Sequence, residues 1–289
     1  MTSRTGAVEP GYAPPLDYDY AIERITSFIR EKVGEAGVKG LVLGLSGGVD
    51  SSVTAYLAVR ALGPEKVTAL IMPDSRTTPK EDVDDALEVA RRLGVRHYLV
   101  PIDSVYDSFT ASIPIFDREA RVANGNLRAR IRMAILYYFA NRLGLMVCGT
   151  SDKSEILLGY YTKYGDGGVD ILPMGDVYKT QVRVLGRILG VPSRIVTKPS
   201  SPRLWPGQMA ESELGMSYEE IDAILYHYVD LRLPVDEVVA RTRLDRAKVV
   251  AIVRRVHSNE HKRLPPPVPK LTSNTVGLDW RMPWSVEGH

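Results

Sequence analysis

Residues 40–52 read Gly-Leu-Val-Leu-Gly-Leu-Ser-Gly-Gly-Val-Asp-Ser-Ser, an apolar run that leads into a glycine-rich turn. The apolar part, residues 40–45, predicts a short buried β-strand. Residues 51–62 then predict a helix, which Gly63-Pro64 ends. Glycines let the turn approach a ligand closely, and the start of the helix offers unpaired N–H groups to an anion. This stretch therefore predicts an anion-binding turn between a strand and a helix.

The alternation of strand and helix continues along the chain. Strands connected through helices pair in parallel, so we expect an α/β fold with a doubly wound, Rossmann-like parallel sheet. Only helical periodicity follows Lys179, which predicts C-terminal helical additions. The other predicted strands cover residues 67–72, 97–102 and 145–147, and the other predicted helices cover about 17–33, 79–94, 124–143, 177–189, 217–230, 235–242 and 245–262.

Length and composition are those of a single large globular domain. The chain has 289 residues, of which 44% are hydrophobic and 25% charged. Pro- and Gly-rich ends predict a flexible tail over residues 1–16 and an extended tail over residues 264–289, with one domain over residues 17–263. A net charge of +2 does not predict a nucleic-acid or membrane partner.

One cysteine, Cys148, excludes an intramolecular disulfide and any Cys-x-x-Cys redox or zinc site. No apolar run reaches membrane-spanning length, and the N-terminus does not have the pattern of a signal peptide. We therefore expect a cytoplasmic protein.

Asp50 is the most informative residue of the turn. Hydroxyl groups at Ser46, Ser51 and Ser52 would donate to phosphate oxygens, but a carboxylate would repel them unless a metal lies between. Mg²⁺ prefers oxygen ligands and would remove that conflict. The alternative is an ordinary Asp N-cap. No lysine follows the glycines, so this is not a Walker A loop.

Later segments add candidates at the same sheet edge. Residues 149–155, Gly-Thr-Ser-Asp-Lys-Ser-Glu, follow the fourth predicted strand. Glu155 is a second metal carboxylate or an ordinary first-turn glutamate, and its position alone does not decide between them. The aromatic, glycine-rich residues 159–173 would stack on a base or form a plain surface loop. A lysine at the start of a helix, such as Lys179, is more usually solvated.

Seven motifs in this order resemble known sequences. Residues 45–52 are similar to the PP-loop of the ATP pyrophosphatase superfamily. With the other six they resemble the NAD synthetase family over about residues 20–263. Those six are Gly-Thr-x-x-x-x-Glu (149–155), Thr-Lys-Tyr-Gly-Asp-Gly-Gly-x-Asp (162–170), Lys-Thr-Gln-Val (179–182), Leu-Trp-Pro-Gly-Gln (204–208), Glu-Leu-Gly-x-Ser-Tyr-Glu-Glu-Ile-Asp (213–222) and Glu-His-Lys-Arg (260–263).

The resemblance implies an adenine nucleotide α-hydrolase-like fold and a ligase that forms a C–N bond. Such an enzyme uses ATP to amidate deamido-NAD with ammonia, and it makes NAD, AMP and pyrophosphate through an acyl-adenylate. The family also implies a Mg²⁺ cofactor and a homodimer with the dinucleotide site at its interface.

The family's residue roles transfer onto matching positions of this sequence. Asp50 and Glu155 would hold Mg²⁺, and Asp50 and Lys179 would be catalytic. Pro202-Arg203 departs from the Ala-Asp that the family usually shows before Leu-Trp. The residues implied for ATP are Gly44, Leu45, Ser46, Gly47, Gly48, Val49, Asp50, Ser51, Thr150, Lys179 and Ser201, and those for deamido-NAD are Arg130, Lys163, Asp170, His261 and Lys262.

Other functions fit the sequence less well. A tRNA-thiolating PP-loop enzyme would typically need reactive cysteines, whereas Cys148 is predicted inside a strand. A GMP or asparagine synthetase would bring an amidotransferase portion, for which too few residues remain. Ammonia would then come free or from a separate partner. A non-catalytic nucleotide sensor is disfavoured by both predicted metal carboxylates and Lys179.

Overall fold

The structure is a computed structural model that describes Val8 and residues 12–280. Its strands are β1 (Leu41–Gly44), β2 (Val67–Ile71), β3 (Arg96–Leu99) and β4 (Met146–Cys148). The first eight helices are α1 (Tyr18–Glu35), α2 (Val49–Leu62), α3 (Lys80–Leu93), α4 (Asp103–Ala111), α5 (Arg121–Leu143), α6 (Lys153–Leu158), α7 (Lys179–Leu189) and α8 (Ser193–Val196). The others are α9 (Ala210–Leu214), α10 (Tyr218–Leu225), α11 (Val235–Thr242), α12 (Arg246–Ser258) and α13 (Glu260–Arg263).

The sheet is parallel, with the strand order β3-β2-β1-β4. β1 lies between β2 and β4, with Leu41 opposite both Val67 and Met146. The chain thus adds β2 and β3 on one side of β1 and later places β4 on the other side. The predicted doubly wound parallel sheet is confirmed. Its topological switch lies between β1 and β4, where such sheets bind ligands.

Helices cover both faces of the sheet because the side chains of a strand alternate. Leu41 and Leu43 of β1 enter a core shared with α1, α2 and α7. Val42, between them, enters a second core on the opposite face, shared with α4 and α5. All three are fully buried, and each such side chain contributes about 1.5–3 kcal/mol.

The C-terminal helices form a third core of their own. Ile221 and Ile224 of α10 pack with Val249 and Ile252 of α12, and Leu158 at the end of α6 joins them. These additions were predicted. Their core places α6 and α7 beside the carboxyl edge of the sheet, where the site lies.

Several element boundaries differ from the prediction. α5 begins at Arg121, three residues early, and β3 ends at Leu99. α4 was not predicted, because only Tyr106 of its nine residues is buried and no apolar face marks it. The predicted helix over 217–230 changes from α10 to a π-helical turn over Tyr226–Asp230. The one predicted over 245–262 is split into α12 and α13.

The two predicted tails are only partly described. Residues 1–7, 9–11 and 281–289 lie outside the described residues, so the tail and domain boundaries stay predictions. Pro14 is buried, and its carbonyl accepts a hydrogen bond from Gln181 Nε2 at 3.1 Å. Over the described part of the chain, no helix combines the length and apolar character needed to cross a membrane.

Candidate active site

A cavity of about 480 Å³ opens at the carboxyl edge of the sheet, at the switch between β1 and β4. Segments from the turn after β1, the turn after β4, α5 and residues 198–205 line it. The predicted residues on its wall are Gly44, Leu45, Ser46, Gly48, Val49, Asp50, Ser51, Thr150, Glu155, Ser201 and Lys262. The tertiary structure thus brings distant parts of the sequence to one cavity.

The turn after β1 has the tight geometry that its glycines predict. Gly47 has φ +79°, and a Cβ there would lie 2.1 Å from the carbonyl oxygen of Asp82. Both facts require glycine. Ser46 Oγ and Ser51 Oγ lie 2.9 Å apart on the cavity wall. Ser52 differs from the prediction, because it is fully buried and its hydroxyl donates to Gly48 O at 2.8 Å.

Three carboxylates surround Lys179 beside the cavity. Its Nζ lies 2.8 Å from Asp50 Oδ2, from Asp152 Oδ2 and from Glu155 Oε1. Lys179 and Asp152 are fully buried, whereas Asp50 and Glu155 also reach the cavity wall. Lys179 is therefore an internal counter-ion of an acidic cluster, in contrast to the solvated lysine usual at a helix start.

A network of hydrogen bonds fixes this cluster in place. The side chain of Asp152 caps α6 by accepting a hydrogen bond from Glu155 N, and the side chain of Glu155 accepts one from Asp152 N. These two bonds form a capping box. Ser154 Oγ accepts from Lys179 N at 2.9 Å. The buried Asp222 accepts from both Ser154 Oγ and Thr180 N. The start of α7 is therefore tied to α6 and α10.

Burial and charge act in opposite directions within the cluster. Burial raises the pKa of Asp152 to about 6, although Lys179 lowers it. Burial also raises the pKa of Glu155 well above its usual value. For Lys179, burial by itself would lower the pKa, but the charges of Asp152, Asp50 and Glu155 raise it far above the ordinary lysine value. The cluster therefore holds cationic charge strongly.

The same oxygens suit a hard divalent cation. Oxygens of Asp50, Asp152 and Glu155 all lie within 4.8 Å of one another. Asp50 Oδ1 is buried and has no hydrogen-bond partner among the described residues. Carboxylate oxygens are the ligands that Mg²⁺ prefers. The donor set fits such an ion, while Lys179 balances part of its negative charge.

Three of the five residues implied for deamido-NAD are linked by hydrogen bonds, and Lys262 follows one of them, His261, directly in the chain. Arg130 donates to Lys163 O at 3.3 Å, and Lys163 Nζ donates to His261 O at 2.6 Å. Lys262 Nζ donates to Gly159 O at 2.6 Å and lines the cavity. Asp170 does not join them, since its carboxylate accepts from Tyr137 Oη and from Val147 N.

Sequence reasoning missed two residues of this region. Asp152 had a signal, because Asp-x-x-Glu before an apolar run is a capping pattern. Arg132 lines the cavity, donates through Nε to Met72 O at 2.8 Å, and is held where burial lowers its pKa to about 10. Arg132 lies two residues after Arg130, a spacing that puts the two side chains on different faces of the helix, so the motif that marks Arg130 did not mark Arg132.

Most of the chain matches one known protein family. A family model described as NAD synthase matches residues 21–266. The chain belongs to the NAD synthase family. The matched residues include the turn after β1, the acidic cluster and the linked basic residues. The resemblance noted from the motifs is confirmed.

Individual NAD synthase relatives agree with this membership. The NH(3)-dependent NAD(+) synthetase of Staphylothermus marinus is 52% identical over 256 residues, which is 89% of this chain and 93% of that protein. The structure of the NH3-dependent NAD synthetase from Campylobacter jejuni has a TM-score of 0.74 and 33% identity, covering 89% of this chain and 100% of that one. The NMN synthetase from Francisella tularensis has a TM-score of 0.78 and 34% identity, over the same shares.

Proposed function

We propose that this protein is an ammonia-dependent ligase that amidates deamido-NAD to NAD and splits ATP into AMP and pyrophosphate. The observation that carries the proposal is the acidic cluster of Asp50, Asp152 and Glu155 beside the glycine-rich turn, at the wall of one cavity. The relatives from Staphylothermus marinus and Campylobacter jejuni carry the matching name. The proposed cytoplasmic location rests on the sequence alone.

In the proposed reaction the turn after β1 binds the ATP phosphates. Gly48 precedes the first turn of α2, whose free N–H groups and dipole attract anions. The carboxylate of the nicotinate ring attacks the α-phosphorus, and pyrophosphate leaves. Ammonia then attacks the acyl carbon, and AMP leaves as the amide forms. Asp50 and Glu155 would hold Mg²⁺, which supplies positive charge to the phosphates when bound.

Lys179 has an indirect part in this proposal. Its ammonium group lies among the proposed metal ligands but does not line the cavity. It lies 2.8 Å from Asp50 Oδ2 and from Glu155 Oε1 and orients both side chains in a buried place, where a charge without a partner would be costly. Contact with ATP, which the family implies for Lys179, would require the cluster to rearrange.

We also propose a homodimer across the face of β3, α4 and α5. Within the described residues, β3 pairs with β2 alone, so its other edge is free. Large apolar side chains are exposed on this face, and the ring of Tyr98 packs against that of Phe139 in a tilted arrangement, with ring centroids 5.1 Å apart. α5 carries both this face and Arg130, which would place a substrate residue beside the second copy. The exposed residues are Tyr98, Leu99, Val105, Phe109 and Tyr138.

The substitution Tyr138→Glu tests the dimer. Tyr138 is 70% exposed in the single chain, and a charge placed in an apolar interface should cost about 2 kcal/mol, roughly a thirtyfold rise in the dissociation constant. Sedimentation measures that constant. Tyr20→Glu is the control, since Tyr20 is 60% exposed on α1, which covers the other face of the sheet. A Tyr138→Glu protein that dimerises like the wild type contradicts the proposed interface.

A coupled assay tests the reaction itself. Purified protein with ATP, Mg²⁺, deamido-NAD and ammonium should form NAD and AMP in equal amounts, and glutamine in place of ammonium should not support NAD formation. Nicotinic acid mononucleotide is the informative second substrate, because a structural neighbour is named NMN synthetase. Amidation of the mononucleotide alone would refute the dinucleotide proposal, and AMP without any amide would refute the ligase.

A further inference from the structure

The segment of residues 198–209, here called the lid segment, crosses from α3 to α5 at the cavity. At its start, Lys198 Nζ donates to Gly47 O at 3.2 Å and to Asp82 Oδ1 at 2.8 Å. Arg203 Nε donates to the other oxygen of the same carboxylate, Asp82 Oδ2, at 2.9 Å. The lid segment therefore has two cations on one buried acidic residue of α3, next to the phosphate-binding turn.

Arg203 is held in an unusual backbone conformation. Its φ is +52°, in the left-handed region that disfavours residues with a Cβ by about 1–2 kcal/mol. The lid segment closes on itself around this residue, because Ser201 Oγ donates to Gln208 O at 2.6 Å and Leu204 N donates to Gln208 Oε1 at 2.9 Å. The ion pair between Arg203 and Asp82 connects this closed loop to α3.

Leu204 fixes the other side of the lid segment. It packs on α5 at Gly125, where a Cβ would lie only 2.8 Å from Leu204 Cβ. Pro199, Ser200, Ser201, Pro202 and Arg203 lie on the cavity wall between these two attachments. The segment thus forms part of the cavity wall while it is attached to α3 on one side and to α5 on the other.

We infer that Arg203, through its ion pair with Asp82, is a positioning residue that keeps the lid segment closed over the acyl-adenylate. This inference rests on the proposed function. An acyl-adenylate exposed to water would be hydrolysed: water oxygen bonds to the acyl carbon, the bond to the AMP oxygen breaks, and deamido-NAD returns with loss of a proton. ATP would then be spent without forming NAD. A closed lid would exclude water and so protect the acyl-adenylate from hydrolysis.

The test compares Arg203→Ala and Arg203→Lys with the wild type in two measurements. Hydrogen exchange of peptides over residues 199–209 reports lid opening without any substrate. Loss of a hydrogen bond to a buried carboxylate should make exchange roughly tenfold faster in Arg203→Ala. The ratio of AMP to NAD formed should be one in the wild type and should rise clearly above one in Arg203→Ala. Arg203→Lys, which keeps the cation, should restore both values at least partly.

Arg246→Ala is the control, because Arg246 forms an exposed ion pair with Asp236 on the C-terminal helices, away from the cavity. It should change neither measurement. A merely destabilised fold would lower NAD and AMP formation together and leave their ratio at one. Unchanged exchange in Arg203→Ala, or faster exchange with an unchanged ratio, overturns the inference. A wild type that makes no NAD refutes the proposed function instead, while the exchange result still reports on the ion pair.

Discussion

Replacing Lys179 with methionine is expected to lower the free energy of unfolding by about 3–5 kcal/mol. Methionine fills a similar volume but removes the only positive charge that touches Asp50, Asp152 and Glu155 among the described residues. The three carboxylates would then repel one another in a buried place. Either one of them must take up a proton or the folded state must lose stability. Denaturant unfolding without Mg²⁺ or ATP measures the effect.

Two further variants make this result specific. Lys248→Met removes a lysine from a half-exposed pair with Glu220, which should cost no more than about 1 kcal/mol. Adding Asp152→Asn to Lys179→Met removes one of the crowded charges and should recover part of the lost stability. If Lys179→Met is as stable as Lys248→Met, charge compensation does not hold this cluster together.

Replacing Asp50 with asparagine is expected to reduce turnover by about a hundredfold or more while the protein stays folded. Asp50 lies in the first turn of α2 and offers one free oxygen beside the cavity. Asparagine keeps the shape but not the charge that would hold the proposed metal. Lys179 would still pair with Asp152 and Glu155, so the free energy of unfolding should change little. Initial rates over a range of Mg²⁺ concentrations measure the loss.

Asp84→Asn is the matched control for this substitution. Asp84 also lies near the start of a helix, but it is exposed, and among the described residues it forms an ion pair with Lys80 alone, four residues away. Its variant should keep wild-type turnover and Mg²⁺ dependence. Near-normal turnover in Asp50→Asn would remove Asp50 from the metal site, whatever the stability of the variant.

The variants Lys179→Met and Asp50→Asn separate two effects of the negative charge in the acidic cluster, one on stability and one on the reaction. Loss of Lys179 acts on the folded state before any substrate binds, whereas loss of Asp50 acts on the reaction. A functional site that keeps three carboxylates close together needs a permanent partner for them. Lys179 is that partner in the folded chain.

Local patterns in the sequence predicted most of the fold. The apolar run before the Gly-rich turn and the helices after it each show a characteristic spacing of apolar residues. That spacing indicates a strand or a helix even when the segments that pack against it are unknown. α4 was missed because a helix with one buried side chain has no apolar face. The end of β3 was misplaced because Val100 and Ile102 are apolar but lie beyond the paired residues.

The parallel α/β fold, the anion-binding turn at residues 45–52 and the family could all be predicted from the sequence, since each depends on residues that are close together or in a fixed order. Two contacts could be seen only in the folded chain: Lys179 is buried among three carboxylates, and Arg203 pairs with Asp82, 121 residues away along the chain. Which charges meet depends on how α3, α6 and α7 pack at one edge of the sheet. That packing is set by the cores around them, and no local spacing reports it.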